Sequence, residues 1–118
     1  MSTSEKTISS QDARKILSSV AYDQGFHFFY TSSIYAGETA TSLLTFALDL
    51  ESVDILSIRY HIDRGDFQKW IRDIIGDEEL ARRIDKLDTQ TSDENLRRQL
   101  IEILQRRLSE LKPLAESS

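Results

Sequence analysis

Five residues between positions 61 and 70 carry the side chains most able to do chemistry: His61, Asp63, Arg64, Asp66 and Trp70. An imidazole with two nearby carboxylates can bind a divalent metal or transfer protons in acid–base catalysis. The spacing is loose, however, and a catalytic zinc site usually draws three protein ligands. A metal-binding or enzymatic domain centred on His61, Asp63 and Asp66 is therefore an alternative hypothesis, and the sequence predicts no cofactor.

The same stretch also fits two helices joined by a tight turn. Gly65 breaks the helical pattern, and Asp66 is of the type that caps the next helix. His61, near the end of the first helix, is favoured as the cation by the helix dipole and is expected to close that end by hydrogen bonding. Trp70 falls on the apolar stripe of the second helix, which predicts a core residue. We favour this interpretation. It also explains the tripeptide Arg64-Gly65-Asp66, which has the sequence of an integrin-binding motif, as a helix break followed by a helix cap.

Three pairs of adjacent arginines could bind phosphate: Arg82-Arg83, Arg97-Arg98 and Arg106-Arg107. Most of these arginines follow a glutamate four residues earlier, an order that stabilises a helix surface. The net charge is -5, whereas nucleic-acid binders are usually basic. We therefore expect the arginines on solvated helix faces and expect no binding to nucleic acid; an accessory role on nucleic acid is the second alternative.

The composition restricts the class of protein. The chain of 118 residues fits one domain, and its lack of cysteine excludes disulfides and thiolate metal sites. The N-terminal residues lack the apolar segment of a secretory signal. No stretch is apolar enough for a membrane span. We therefore expect a cytoplasmic protein with no membrane partner.

Apolar residues recur at helical spacing along most of the chain, which predicts a mainly α domain of five or six short helices. We expect this single domain over residues 10–112, with flexible segments at 1–9 and 113–118. The first helix is expected to begin near Ser10 and to end at Gly25, a residue that often terminates helices.

The last helix is expected to run from about Ser92 to Leu111. Thr91 and Glu94 have the spacing of a capping box at its start. Pro113 is expected to prevent its continuation, because proline lacks the backbone N–H that the helix needs.

Two segments are ambiguous in the sequence. Residues 26–41 begin with the letters FHFFYTSS and fit either a small β-hairpin, with its turn at 35–37, or a buried aromatic turn. Residues 54–62 carry isoleucines at helical spacing after Asp54, which favours a capped helix, although their alternation is also compatible with a strand.

Five short motifs follow one another along the middle of the chain: F-x-F, G-x-x-A-x-S-L, S-I-x-x-H, D-F-x-x-W-I and G-D-x-x-L-A. They are carried by Phe26/Phe28, Gly37/Ala40/Ser42/Leu43, Ser57/Ile58/His61, Asp66/Phe67/Trp70/Ile71 and Gly76/Asp77/Leu80/Ala81. In this pattern the chain resembles an uncharacterised domain family of archaea and bacteria. Because that family has no known function, the resemblance implies no activity and no cofactor.

These observations favour a small non-enzymatic domain for protein interaction or regulation, whose biological function the sequence does not determine. The sequence contains no Gly-rich phosphate loop, no G-x-S-x-G and no HExxH motif. The long last helix has a second face that a partner protein could cover. We expect self-association as a homodimer, through the last helix or through the aromatic segment at 26–41.

Overall fold

The computed structural model describes residues 8–117. Its elements are α1 (Ser10–Leu17), a 3₁₀ turn (Tyr22–Gln24), β1 (Phe26–Thr31), β2 (Ile34–Ala40), α2 (Leu43–Ser52), α3 (Ile55–Arg64), α4 (Asp66–Trp70) with a following π-helical turn (Ile71–Ile75), α5 (Glu78–Asp85) and α6 (Asp93–Glu116). Within residues 8–117 there are thus six helices and one two-stranded antiparallel sheet, which confirms the predicted mainly α class. The predicted flexibility of the N-terminus falls largely on residues 1–7, outside the described residues.

The aromatic segment forms a β-hairpin, so the first of its two interpretations is confirmed. The strands pair antiparallel, with Phe29 opposite Tyr35. The turn lies at residues 32–33 rather than at the predicted 35–37. Gly37 lies inside β2 instead, in a left-handed conformation with φ of 92°, where the register between the strands shifts. Glycine adopts this conformation without steric cost, and such irregularities increase the twist of a hairpin.

A cluster of aromatic side chains forms the core where the hairpin meets the helices. It comprises Phe26 and Phe28 from β1, Phe46 from α2, and Phe67 and Trp70 from α4, all at most 6% exposed. The ring of Phe26 is central, with its centroid 4.9–5.7 Å from those of the other four. These separations are typical of attractive aromatic pairs. Burial of so much aromatic area makes this cluster a main source of stability.

The long helix α6 supplies the other part of the core. Leu96, Leu100, Leu104 and Leu111 are buried along one stripe. The helix packs against four other helices, α1, α2, α3 and α5. Among residues 8–117, no helix combines the length and the apolar character that crossing a membrane requires.

The helix N-termini are only partly as predicted. Asp54 caps α3, which confirms helix over strand for that segment, and Asp77 caps α5. The cap of α6 is Ser92, whose hydroxyl accepts from a backbone N–H of the first turn at 3.1 Å. The predicted capping box of Thr91 and Glu94 is therefore wrong, because Ser92, one residue further on, takes the capping position.

The C-terminal boundary of α6 is also different from the prediction. The helix continues through Pro113 to Glu116 instead of stopping near Leu111. Proline removes one hydrogen bond of the helix, which weakens this last segment. Arg14 of α1 compensates, because its guanidinium donates to the carbonyl oxygen of Ala115 at 3.1 Å and so ties the end of α6 to α1.

The sequence predicted that α1 ends at Gly25, and this prediction is wrong. The helix ends at Leu17, and the chain then runs to the hairpin, where the N–H of Val20 donates to the carbonyl oxygen of Thr41 at 2.8 Å. Gly25 lies just before β1, where a Cβ atom would be 2.7 Å from the carbonyl oxygen of Ala40. Its function is therefore to let two backbone segments approach closely.

Some arginines bind groups inside the fold rather than lying on solvated faces. Arg107 is 5% exposed, and its guanidinium donates to both carboxylate oxygens of Asp77, at 2.8 and 3.0 Å. Arg97 donates to two backbone carbonyl groups at the end of α2, at 2.7 and 2.8 Å. The prediction is wrong for these two residues, because α6 turns both toward neighbouring helices. Exposed positions remain for Arg82, Arg98 and Arg106.

Candidate functional site

The structure brings three of the five candidate residues to one groove. His61 on α3 and Asp66 and Trp70 on α4 line it. Arg64 lies beside them, and its Nε donates to Oδ2 of Asp66 at 3.0 Å. Asp63 is exposed and does not line the groove. The acid–base set predicted from the sequence is therefore only partly assembled.

His61 is 4% exposed and uses both of its ring nitrogens. Its Nε2 accepts the backbone N–H of Phe29 at 2.8 Å, and its Nδ1 lies 2.8 Å from Oδ2 of Asp66. A backbone N–H can only donate, so Nε2 must carry the lone pair. Nδ1 therefore carries the proton and donates it to Asp66, and the imidazole is neutral.

The surroundings of His61 also favour its neutral form. Burial lowers the pKa of His61 below the ordinary histidine value, although the adjacent Asp66 carboxylate acts in the opposite direction. The rings of Phe26 and Phe67 lie 4.7 and 5.6 Å away, centroid to centroid. The prediction of a cation that closes a helix end is wrong, because β1 supplies a donor to Nε2 and the aromatic rings exclude water.

Asp66 does not cap α4, contrary to the prediction. Gly65 takes a left-handed conformation with φ of 73° and ends α3, as expected of a helix breaker. The turn brings the Asp66 carboxylate back to α3, where Oδ2 accepts from His61 Nδ1 and Arg64 Nε. The carboxylate is therefore used to hold the end of α3 and the histidine.

Trp70 is a core residue, as predicted. It is 6% exposed, and its ring centroid lies 5.3 Å from that of Phe46. The indole Nε1 donates to the carbonyl oxygen of Gln24 at 2.9 Å. This bond attaches α4 to the turn that precedes β1, so the tryptophan connects the two walls of the groove.

The geometry at His61 is unfavourable for catalysis or metal binding. A catalytic His–Asp pair leaves Nε2 available to the substrate or nucleophile, whereas the N–H of Phe29 occupies it here. A metal bound to either nitrogen would displace Phe29 or Asp66. Across residues 8–117, no three side chains of histidine, cysteine, aspartate or glutamate are grouped so that they could hold a metal ion.

The groove is an open cleft of about 420 Å³ between β1 and α4. Its walls are mainly apolar, with a few charged side chains, a composition common in binding clefts. The lining residues are Gly25, Phe26, His27, Phe29, His61, Asp66, Lys69, Trp70, Asp73 and Ile74.

The outer surface of the hairpin continues from the groove. Successive residues of a strand face opposite sides, so His27 and Phe29 lie outside while their neighbours Phe26 and Phe28 are buried. The ring of Tyr35 contacts Phe29 with centroids 5.7 Å apart, and that of Tyr22 contacts His27 at 5.2 Å. We name Tyr22, His27, Phe29 and Tyr35 the hairpin aromatic face.

Hydrogen bonds to Thr39 hold the hairpin aromatic face in place. Its Oγ1 lies 2.9 Å from Nδ1 of His27 and 2.7 Å from the hydroxyl of Tyr35, with the hydroxyl of Tyr22 at 3.5 Å. The sequence predicted the aromatic segment at 26–41 as a possible dimer surface, but not which of its side chains lie outside. Alternation along β1 is the signal that could have found it, but that signal is readable only once the segment is known to be a strand.

The fold and the groove together define a small helical domain in which a hairpin forms one wall of an apolar cleft. The chain belongs to the family described as "Family of unknown function (DUF5752)", which it matches over residues 5–105 and again over 63–118. This confirms the expected membership of an uncharacterised domain family, while the five motifs quoted for it stay a prediction. No curated protein and no solved structure matches the chain.

Proposed function

We propose that this protein is a non-enzymatic interaction domain that binds another protein through the hairpin aromatic face and the adjoining groove. The observation that carries the proposal is the exposure of aromatic rings beside an open cleft: Tyr22 is 65% exposed and Tyr35 is 44% exposed. Aromatic residues are enriched at protein interfaces, since they bury a large area with little loss of conformational entropy. A surface that extends beyond the cleft favours a protein over a small ligand.

The rigidity of this surface supports the same proposal. Both backbone groups of Phe29 are bound by α3, the N–H by His61 and the carbonyl oxygen by the hydroxyl of Ser57 at 2.7 Å. Trp70 holds the other wall through its bond to Gln24. A preorganised surface loses little further entropy on binding, so its contacts contribute more to affinity.

The two alternatives have less support. An enzymatic or metal-binding role at His61 would require the ring to release Phe29 or Asp66. A nucleic-acid role would rely on free arginines, but the net charge is -5, and two arginines of the three pairs, Arg107 and Arg83, donate to Asp77, Glu79 and Glu110. Such paired arginines have little charge left for phosphate.

A second copy of the chain is the first partner to test. Of the two surfaces expected for a homodimer, the hairpin has the better support, because α6 is packed against α1, α2, α3 and α5. The proposal includes a cytoplasmic location, with which the lack of cysteine agrees.

The test compares two matched double variants. Tyr22→Ser with Tyr35→Ser removes two exposed side chains from the hairpin aromatic face. Leu44→Ser with Leu48→Ser removes two leucines of α2 that are 58% and 54% exposed. Light scattering compares each protein with the monomer mass of 13.6 kDa, and proteins that co-purify with it from the source cell are quantified.

We expect the tyrosine variant to lose dimerisation or its co-purifying partner by at least about tenfold in affinity, while the leucine variant keeps both. Loss of binding in the leucine variant, with binding kept in the tyrosine variant, would assign the interface to α2 and contradict the proposal. A wild-type protein that is monomeric and co-purifies with no other protein would also contradict it. Metal analysis on the same samples tests the alternative, which stoichiometric zinc or iron would favour.

A further inference from the structure

The outer edge of β1 is bound by side chains of α3 where a third strand would otherwise pair. At Phe29 the N–H donates to His61 Nε2 at 2.8 Å, and the carbonyl oxygen accepts from the Ser57 hydroxyl at 2.7 Å. His61 and Ser57 lie one helical turn apart and are both buried. These two bonds hold the hairpin against α3 along one wall of the groove.

We propose that His61 is a pH-sensitive latch that attaches the hairpin to α3 when neutral and releases it when protonated. A proton added to Nε2 converts the acceptor of the Phe29 N–H into a donor, so the hydrogen bond must break. The ring then carries one positive charge, and the N–H of Phe29 is left without its partner. This inference goes beyond the proposed function, since it needs no binding partner.

The groups around His61 determine when the latch opens. Asp66 on α4 and Arg64 on α3 act on the charge of His61, and the ring of Tyr60 contacts it. The other titratable and charged residues that line the same groove are Lys69, Asp73 and His27. Asp66 stabilises a cationic ring, whereas Arg64 and burial oppose it, and burial is the largest of these effects. The latch is therefore closed at neutral pH and opens as the pH falls below the ordinary histidine value of about 6.5.

The consequence reaches the groove and the hairpin aromatic face. Phe29 belongs to both, and its backbone is the part of β1 that the latch holds. When His61 no longer accepts from the Phe29 N–H, the hydrogen bond from the Ser57 hydroxyl still connects α3 to Phe29. Loosening one wall of a cleft changes the populations of its conformations, so the surface of the domain becomes dependent on pH.

The experiment uses nuclear magnetic resonance on the full chain, in two measurements. The nitrogen shifts of His61 report its tautomer, for which we expect a protonated Nδ1 and an unprotonated Nε2 at about pH 7.5. Hydrogen exchange then gives the protection factor of the Phe29 amide, corrected for intrinsic rates. We expect protection to fall at least about tenfold between about pH 7.5 and about pH 5 in the wild type.

Three variants test whether His61 is the group that causes the loss of Phe29 protection. In His61→Gln the side-chain amide oxygen reaches the place of Nε2 without titrating, so Phe29 protection should stay constant over this range. The control His27→Gln removes the other histidine, and Asp49→Asn removes a carboxyl whose pKa is raised to about 6 by burial and by Glu38. Both controls should keep the wild-type loss of protection.

Several results would overturn the latch. One is a protonated Nε2 at neutral pH, which the wild type alone reveals even if a variant fails to fold. The others are wild-type protection that is equal at both pH values, and a loss of protection that persists in His61→Gln or disappears in a control variant.

Discussion

His61→Ala tests directly how the hairpin is held to the helices. The interpretation from sequence, a lost hydrogen bond at a helix end, would cost about 1 kcal/mol. The structure predicts more, because the buried N–H of Phe29 loses its acceptor, which costs about 1–3 kcal/mol. The cavity left among the aromatic rings adds about 2 kcal/mol. We therefore expect a loss of about 3–5 kcal/mol, a large part of the roughly 5–15 kcal/mol of a typical domain.

Urea unfolding at neutral pH, followed by circular dichroism, measures this free energy. His61→Gln should recover part of the loss, because its amide oxygen can accept from Phe29. The matched control is His27→Ala, which removes a half-buried ring with one hydrogen bond to Thr39 and should cost less than about 1 kcal/mol. A His61→Ala protein within about 1 kcal/mol of wild type would show that the ring does not hold the hairpin.

The imidazole of His61 should also make the free energy of unfolding depend on pH. Since the pKa of His61 is lowered in the folded state, the unfolded chain binds more protons below the ordinary histidine value of about 6.5. The contribution of His61 is therefore fully present above that value and is lost as the pH falls toward the folded-state pKa. A difference curve between wild type and His61→Gln isolates this slope, and a flat difference curve would contradict it.

Four further substitutions test other parts of the fold by urea unfolding, with thermal unfolding in addition for Trp70→Ala. Trp70→Ala should lower the free energy of unfolding by about 3–5 kcal/mol through lost burial. A melting temperature within a degree or two of wild type would correspond to roughly 1 kcal/mol or less and would exclude a core role. Arg107→Met should cost about 3–5 kcal/mol, because it leaves the Asp77 carboxylate buried without its partner, and adding Asp77→Asn should restore most of this. Burial raises the pKa of Asp49 to about 6, so the free energy of unfolding of the wild type falls as the pH rises from about 4 to about 6. Above that range Asp49→Asn should be more stable than the wild type by about 1–2 kcal/mol, after allowance for solvent screening. Gly25→Ala should cost about 1–3 kcal/mol, since its Cβ would meet a carbonyl oxygen of β2 at 2.7 Å.

The sequence by itself determined the local elements of this protein. The apolar stripes predicted the helices, and the cap at Asp54 and the break at Gly65 are where the structure has them. These features depend on residues within about four positions of one another, the range over which helical periodicity and capping act. Trp70 as a core residue followed from the same stripe.

The tertiary structure alone decided which residues meet across the fold. His61 and Phe29 are 32 positions apart, and Arg107 and Asp77 are 30 apart. No periodicity relates such positions, and each residue also has a plausible local role as a helix-end or surface side chain. The choice between the local and the distant partner depends on burial: where packing excludes water, a polar group must find a partner inside the protein, whatever its distance along the chain.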